Sequence, residues 1–232
     1  MKNEFVRISN LHRSFTEGDT SHSVLLGVSL SINKGETIAL LGRSGSGKST
    51  LLNVISGIDR ADNGVVVVDD IDLTALSEHQ RTLFRRKNIG FIYQFFNLIP
   101  TLTASENVAL VLELNGYTPT QIQQKTDHII CAVGLESQKN KFPDQMSGGE
   151  QQRVAIARAL VHSPKLVLAD ELTGNLDAES GHNILSLLQD LMAQSGGTLF
   201  LVTHSLAVAK TADRILTLDN GLLIEREGHF AW

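Results

Sequence analysis

Cysteine is almost missing: Cys131 stands alone in 232 residues, so no internal disulfide can form, and a reducing compartment suits the chain better than a secretory one. Prolines number only four, and tracts rich in Pro, Gly or Ser are lacking, which excludes a long flexible linker or a low-complexity segment. No apolar run approaches the roughly 18 residues that span a bilayer. The opening Met-Lys-Asn-Glu-Phe-Val-Arg has polar and charged residues where a signal peptide needs an apolar core. The chain is therefore expected to stay in the cytosol and not to cross a membrane itself. Excess positive charge is absent too: a formal charge of -5 argues against a nucleic-acid binder, although a local basic patch remains compatible with it. What is there is ordinary for a globular protein, 42% hydrophobic and 19% charged, enough for one buried core and a satellite subdomain.

Phe5 to Ile8 and Val24 to Ile32 alternate or run apolar as strands do, and Gly35-Glu36 opens a buried strand over Thr37 to Leu41. Val65 to Val68 and Ile89 to Tyr93 read as further strands, with a polar helix near Ser77 to Arg86 between them. Helical periodicity then dominates, over Asn107 to Leu114, Thr120 to Val133 and Glu150 to Leu160. Leu166 to Ala169 and Thr198 to Val202 are short continuous apolar runs separated by a helix over about Ala178 to Ala193, the mark of a parallel sheet covered on both faces. Arg214 to Leu218 and Leu222 to Glu225 flank Asn220-Gly221 as a closing hairpin. The expected architecture is α/β: a parallel-sheet core with an N-terminal antiparallel β subdomain, over 1-94 and 163-232, and an inserted α-helical subdomain over about 95-162.

Gly42-Arg43-Ser44-Gly45-Ser46-Gly47-Lys48-Ser49, running on to Thr50, is a phosphate-binding loop between that buried strand and a helix starting near Lys48. Successive backbone N–H groups would point at phosphates, and the helix dipole favours their charge. The glycines let the backbone come close, Lys48 would reach the β- and γ-phosphates, and the Ser49 hydroxyl would ligate Mg²⁺. The bland alternative is a glycine-rich turn with a solvated lysine. Lys165 to Glu171 supplies a second signal: four apolar residues followed by Asp170 and Glu171 place both carboxylates at a strand's carboxyl end. There Asp170 would hold the metal and Glu171 would orient or deprotonate a water. Alone, the pair could simply cap the next turn.

Ser147-Gly148-Gly149-Glu150 is a second glycine-tipped helix start. Ser147 and Glu150 have capping-box spacing, which needs no nucleotide. Gly148-Gly149 is not explained that way, because glycine weakens a first turn unless something must approach the backbone. Since residues 42 to 49 already provide one anion site, the second would serve a nucleotide held by another copy.

On these motifs the chain resembles the ATP-binding cassette (ABC) ATPase subunits over essentially its whole length, which implies that the parallel-sheet core is of the P-loop NTPase (RecA-like) kind. Met146 to Gln151 is similar to the family signature, with Met where Leu is usual. The resemblance implies that Gln94 senses Mg²⁺ in the loop that meets a membrane partner, and that His204 contacts the γ-phosphate. It also implies that Asn175-Leu176-Asp177 crosses a dimer interface and that Phe15 stacks on adenine. Each has a structural alternative: a hydrogen-bonded strand-end histidine, a helix-starting Asp177, a core Phe15. Leu172 departs from the family's proline, so the turn holding Glu171 is expected to be looser, with slowed or altered hydrolysis at most.

Tyr93 to Val108 and Thr173 to Asp177 look like the lipoprotein-releasing, macrolide-efflux and cell-division group of bacterial ABC systems. Phe95, Phe96, Leu98 and Ile99 would be either an apolar docking surface or core packing. The resemblance implies an ATPase that binds ATP and Mg²⁺, with Lys48, Glu171 and His204 serving hydrolysis. It implies a head-to-tail homodimer around two ATP, coupled to integral membrane permease subunits on the inner face of the cell membrane. A soluble ABC-type ATPase acting on nucleic acid or ribosomes stays open, although the coiled coils, zinc modules or second cassette usual there are not visible. A P-loop GTPase is disfavoured by the lack of an Asn-Lys-x-Asp motif.

Overall fold

The computed structural model describes residues 4–18, 20–174 and 176–225. In chain order the elements are β1 (Glu4–Glu17), β2 (Thr20–Asn33), β3 (Thr37–Leu41), α1 (Lys48–Ile55), β4 (Asn63–Val68), β5 (Ile71–Asp72) and α2 (Glu78–Asn88). There follow β6 (Ile89–Ile92), α3 (Ala104–Leu114), α4 (Pro119–Ala132), α5 (Gly148–Leu160), β7 (Leu166–Asp170) and α6 (Ala178–Ser195). Last come β8 (Thr198–Val202), α7 (Leu206–Ala209), β9 (Arg214–Asp219) and β10 (Leu222–Glu225). The chain forms two compact units, one taking in the chain up to Arg85 and from Thr198 onward, the other Arg86–Gly197.

The first unit holds an antiparallel sheet in the order β2-β1-β4-β5. Its pairing follows the hydrophobic alternation: Val6 opposes Ile32, Ile8 opposes Leu30 and Leu11 opposes Val28, all buried, while the intervening side chains of β2 are largely exposed. Both strands of this hairpin are longer than their apolar alternation, because β1 and β2 stay paired out to Glu17 and Thr20 with polar residues. Gly64 has to be glycine, since it is left-handed and a Cβ there would lie 2.4 Å from the Asn10 carbonyl oxygen.

The same unit holds β3, flanked in parallel by β8 (Leu40 opposite Val202) and by β9 (Leu40 opposite Leu216). Ile38 to Leu41 and all of β8 are buried, as expected of strands covered on both faces. β10 returns antiparallel to β9 through Asn220 and Gly221, both at positive φ (48° and 77°), the conformation that favours Asn-Gly in a tight hairpin.

In the second unit β6 and β7 pair in parallel, Ile92 opposite Ala169. Helix α5 lies so close to β6 that a Cβ on Gly90 would come within 2.3 Å of the Ala159 carbonyl oxygen. Its Val154, Ala155, Ile156, Ala157 and Ala159 are buried. Three helices here start with complete capping boxes, from Thr103 and Glu106, Thr118 and Gln121, and Ser147 and Glu150. All three start earlier than the apolar period suggests, at Ala104, Pro119 and Gly148, because a cap and a polar first turn carry no hydrophobic signal.

Candidate nucleotide site

The first unit carries the phosphate loop. α1 begins at Lys48 behind Gly47, whose φ of 98° is left-handed, and no side chain caps this helix. First-turn N–H groups have no acceptor within their own helix, which makes this end a natural anion site. Gly42 and Gly47 are fixed by close approach: a Cβ on Gly42 would lie 2.6 Å from Leu218 O and 2.7 Å from Ser46 Oγ, and one on Gly47 2.7 Å from Val24 Cγ1. Lys48 is only 5% exposed, and its Nζ donates to the carbonyls of Gly42 and Arg43 at 2.9 Å each. Ser46 Oγ is buried without a hydrogen-bond partner among the described residues, an arrangement native proteins seldom leave unexplained. Arg43, Ser44 and Gly45 form the exposed crown, and Ser49 and Thr50 lie in the first turn of α1. An orphaned hydroxyl, an ammonium and a helix N-terminus form a donor set that fits a chain of phosphates.

Two more of the expected residues belong to this unit. The Thr203 N–H donates to Leu40 O at 3.1 Å, so the exposed His204 leaves β8 at the edge where β3 runs into the phosphate loop. Phe15 is not core: it lies on β1 opposite His22 and is 43% exposed, with the Arg13 guanidinium carbon 4.5 Å from its ring centre.

The second unit carries the carboxylates. Because β6 and β7 run parallel in register, the residues just beyond their carboxyl ends meet: Gln94 Nε2 donates to Glu171 Oε2 at 2.9 Å. Glu171 has a φ of 50°, uncommon for a residue with a side chain and a reason to look for function there. Gly174 closes over the pair, since a Cβ on it would lie 3.5 Å from Glu171 Oε2 and 3.7 Å from Gln94 Nε2. Leu172, where the resembling family has proline, is 2% exposed. Asp170 ends β7 beside Glu171.

The start of α5 is built as its spacing foretells. The Ser147 N–H donates to Glu150 Oε2 at 2.7 Å and the Glu150 N–H to Ser147 Oγ at 3.3 Å. Those bonds, the backbone one foremost, hold the Glu150 carboxyl below its ordinary range. The glycines between them answer to nothing inside the chain. Neither is left-handed, a Cβ on Gly148 would meet only Leu176 Cδ2 at 3.8 Å, and one on Gly149 would meet nothing within 4 Å. Alanine would fit at both and would favour the helix by roughly 1 kcal/mol each. Asp177 caps α6, accepting the Ser180 N–H at 2.9 Å, and its bonding to Ser180 lowers its pKa. Asn175 lies outside the described residues.

Two residues escape sequence reasoning. Asn107, fully buried in α3, donates to the carbonyls of Ile99, Leu102 and Thr103 and accepts the Ile99 N–H, fixing the loop after Gln94. Arg158 on α5 donates to Phe96 O at 2.7 Å and Asn97 O at 2.6 Å, two residues at positive φ. The only mark of either in the sequence is a polar residue inside an apolar helical period. The loop they hold presents Phe95, 70% exposed, and Ile99, 37% exposed, so these two are not core packing.

Among known proteins, the family described as ABC transporter matches residues 25–174. The uncharacterized ABC transporter ATP-binding protein Rv0986 of Mycobacterium tuberculosis is 49% identical over 219 residues, 94% of this chain and 88% of that protein. The lipoprotein-releasing system ATP-binding protein LolD of Shewanella frigidimarina is 43% identical over 218 residues, 94% of this chain and 91% of that protein. The ATP-binding cassette MJ0796, solved as a dimer in a post-hydrolysis state bound to ADP and Pi, superposes with a TM-score of 0.88 at 38% identity, covering 97% of this chain and 100% of that one.

Proposed function

This chain belongs to the ABC transporter family as an ATP-binding subunit with ATPase activity, and from that premise we propose that it works as a head-to-tail homodimer that closes on two ATP to drive partner membrane subunits. One observation carries the reading. Gly148 and Gly149 open a helix end that neither packing nor backbone conformation requires to be glycine, in a chain that already has a complete phosphate loop. Close approach of a phosphate to the α5 N-terminus accounts for both residues, and only a second copy brings one that the loop does not already hold. The dimeric MJ0796 cassette supports the same assembly.

In this account the backbone of Gly42 to Thr50 and the Lys48 ammonium bind the β- and γ-phosphates, and the loop carbonyls that now hold Lys48 give it up to them. Mg²⁺ would be held by Ser49 and Asp170 with Gln94 alongside, and when bound it neutralises charge developing on the phosphate oxygens. Glu171, oriented by Gln94, accepts a proton from or aligns the attacking water, and His204 donates to the γ-phosphate. Ser147, Gly148 and Gly149 offer the backbone and hydroxyl donors of the second copy, with Asp177 beside that interface and Phe15 stacking on the adenine.

The helical stretch 95–162 is the transmitting part, through the loop pinned by Asn107 and Arg158 and tipped by Phe95. Among the described residues no helix is long and apolar enough to cross a membrane. Attachment would come through permease subunits at the inner face of the cell membrane, and similarity to LolD favours lipoprotein release or related mechanical work over uptake. Affinity purification from detergent-solubilised cells tests this: recovery of an integral membrane permease supports it, and recovery of nucleic acid or ribosomes in place of a permease overturns it.

A further inference from the structure

A residue with no role so far stands behind the aromatic ring. Arg13 donates Nε and Nη2 to the two oxygens of Asp59 at 3.1 and 3.0 Å, and Nη1 to Asp62 at 2.7 Å. The other Asp62 oxygen takes the Ser14 N–H at 2.6 Å. Two carboxylates thus fix the plane of the guanidinium, which covers one face of Phe15 with its central carbon 4.5 Å from the ring centre. The arginine is 19% exposed and the phenylalanine 43%.

The strand register puts this ring within reach of a nucleotide whose phosphates lie in the loop. Val24 touches Gly47 so closely that a Cβ there would lie 2.7 Å from it, which ties β2 to the start of α1. His22 lies two residues back along the same strand, across the bulge at Val24, roughly 7 Å away. Phe15 is its cross-strand partner, and the neighbouring pair Ser14 and Ser23 confirms the register with hydroxyls 3.2 Å apart. A nucleoside separates a base from its phosphates by a similar span.

We propose that Arg13 is a positioning residue for base recognition: pinned by Asp59 and Asp62, it holds the Phe15 ring in one orientation and leaves the opposite face for the base. Phe15 has no hydroxyl with which to anchor itself, and an exposed ring on a hairpin would otherwise lose rotamer freedom on stacking. The guanidinium removes that loss beforehand and adds a cation behind the stack. The proposal rests on the reading that residues 42 to 50 hold the phosphates and Phe15 the base.

The test is displacement of a fluorescent ADP from the full chain by ADP and, separately, by pyrophosphate, which has no base. Arg13→Gln should weaken ADP roughly three- to fivefold and leave pyrophosphate unchanged. Phe15→Ala should weaken ADP roughly tenfold, and adding Arg13→Gln to it should cost nothing further. Arg13→Lys, which keeps the charge and loses the plane, should fall between and guards against misfolding of the Gln variant. Equal weakening of ADP and pyrophosphate by Arg13→Gln, or a loss that persists without Phe15, would make Arg13 structural and overturn the proposal. Weakening by Phe15→Ala alone, with both Arg13 variants normal, overturns it and keeps the stacking reading. If Phe15→Ala leaves ADP binding intact, the stacking reading itself fails.

Discussion

Replacing Ser147 separates the two jobs that its position combines. Its hydroxyl accepts the Glu150 N–H and so closes one half of a capping box on α5. Ser147→Ala removes that cap, which costs about 1 kcal/mol and lowers the thermal midpoint by roughly 2–4 °C in a domain of this size. Ser147→Asp keeps a cap oxygen and should recover most of that midpoint, but it puts a carboxylate where the partner's γ-phosphate is proposed to lie. At about 4 Å and an effective dielectric near 20, one such charge pair opposes closure by about 4 kcal/mol, enough to weaken nucleotide-driven association roughly a thousandfold. Differential scanning fluorimetry reads the first effect. Light scattering with Mg-ATP, in a Glu171→Gln background where ATP persists, reads the second. The two variants should rank oppositely in the two assays. If Ser147→Asp associates with ATP as readily as its parent, the α5 N-terminus does not face a phosphate and the composite site is wrong.

Other outcomes follow from buried or paired groups. His162, 8% exposed, has its pKa pushed down to about 4, by burial first and also by nearby Lys125, against a backbone bond with Ile89 O. The folded state therefore resists the proton that the unfolded chain takes up near 6.5, so this group's stability contribution is full above that value and is lost as pH falls toward 4. The slope should approach about 1.4 kcal/mol per pH unit, and thermal midpoints of His162→Leu should be flatter over the same window. Gln94→Glu replaces the donor to Glu171 with a second carboxylate, and two such groups at hydrogen-bond distance tend to share a proton. Turnover near neutral pH should drop roughly tenfold or more, with the acid limb of the pH–rate profile displaced upward; an unmoved limb would count against Glu171 as the group that handles water. Leu172→Pro removes a buried side chain and restrains the left-handed Glu171 before it. ATPase rates should change little, and a many-fold gain would show that the looser turn limits hydrolysis.

The parts legible in the sequence are those where one local signal decides the structure. Continuous apolar runs mark β3, β7 and β8 because strands buried on both faces need nothing else. Asn220-Gly221 marks its hairpin through positive φ, and Ser147 with Glu150 marks the start of α5. The outer half of β1 and β2 is hidden, since His12 to Glu17 have no apolar alternation and are held by pairing and by the Arg13 network. The start of α3 is hidden for another reason: periodicity points to Asn107, whereas the helix begins at Ala104 and Asn107 is a buried anchor. Thr103 and Glu106 stood at capping distance and could have given it. Arg158 reaches carbonyls 61 and 62 residues away, which no local pattern encodes. At the site itself the residue types and their spacing were readable; that Gln94 bonds Glu171, that Phe15 is exposed, that Gly149 faces open space and that Gly148 has nothing nearer than Leu176 needed the fold.

The most direct measurement is the mass of Glu171→Gln in solution, by light scattering behind size exclusion, with and without saturating Mg-ATP. Shared ATP sites require a monomer without nucleotide and a stable dimer with it, carrying two ATP per dimer. Monomers that each hold one ATP and persist at saturation would contradict the central claim.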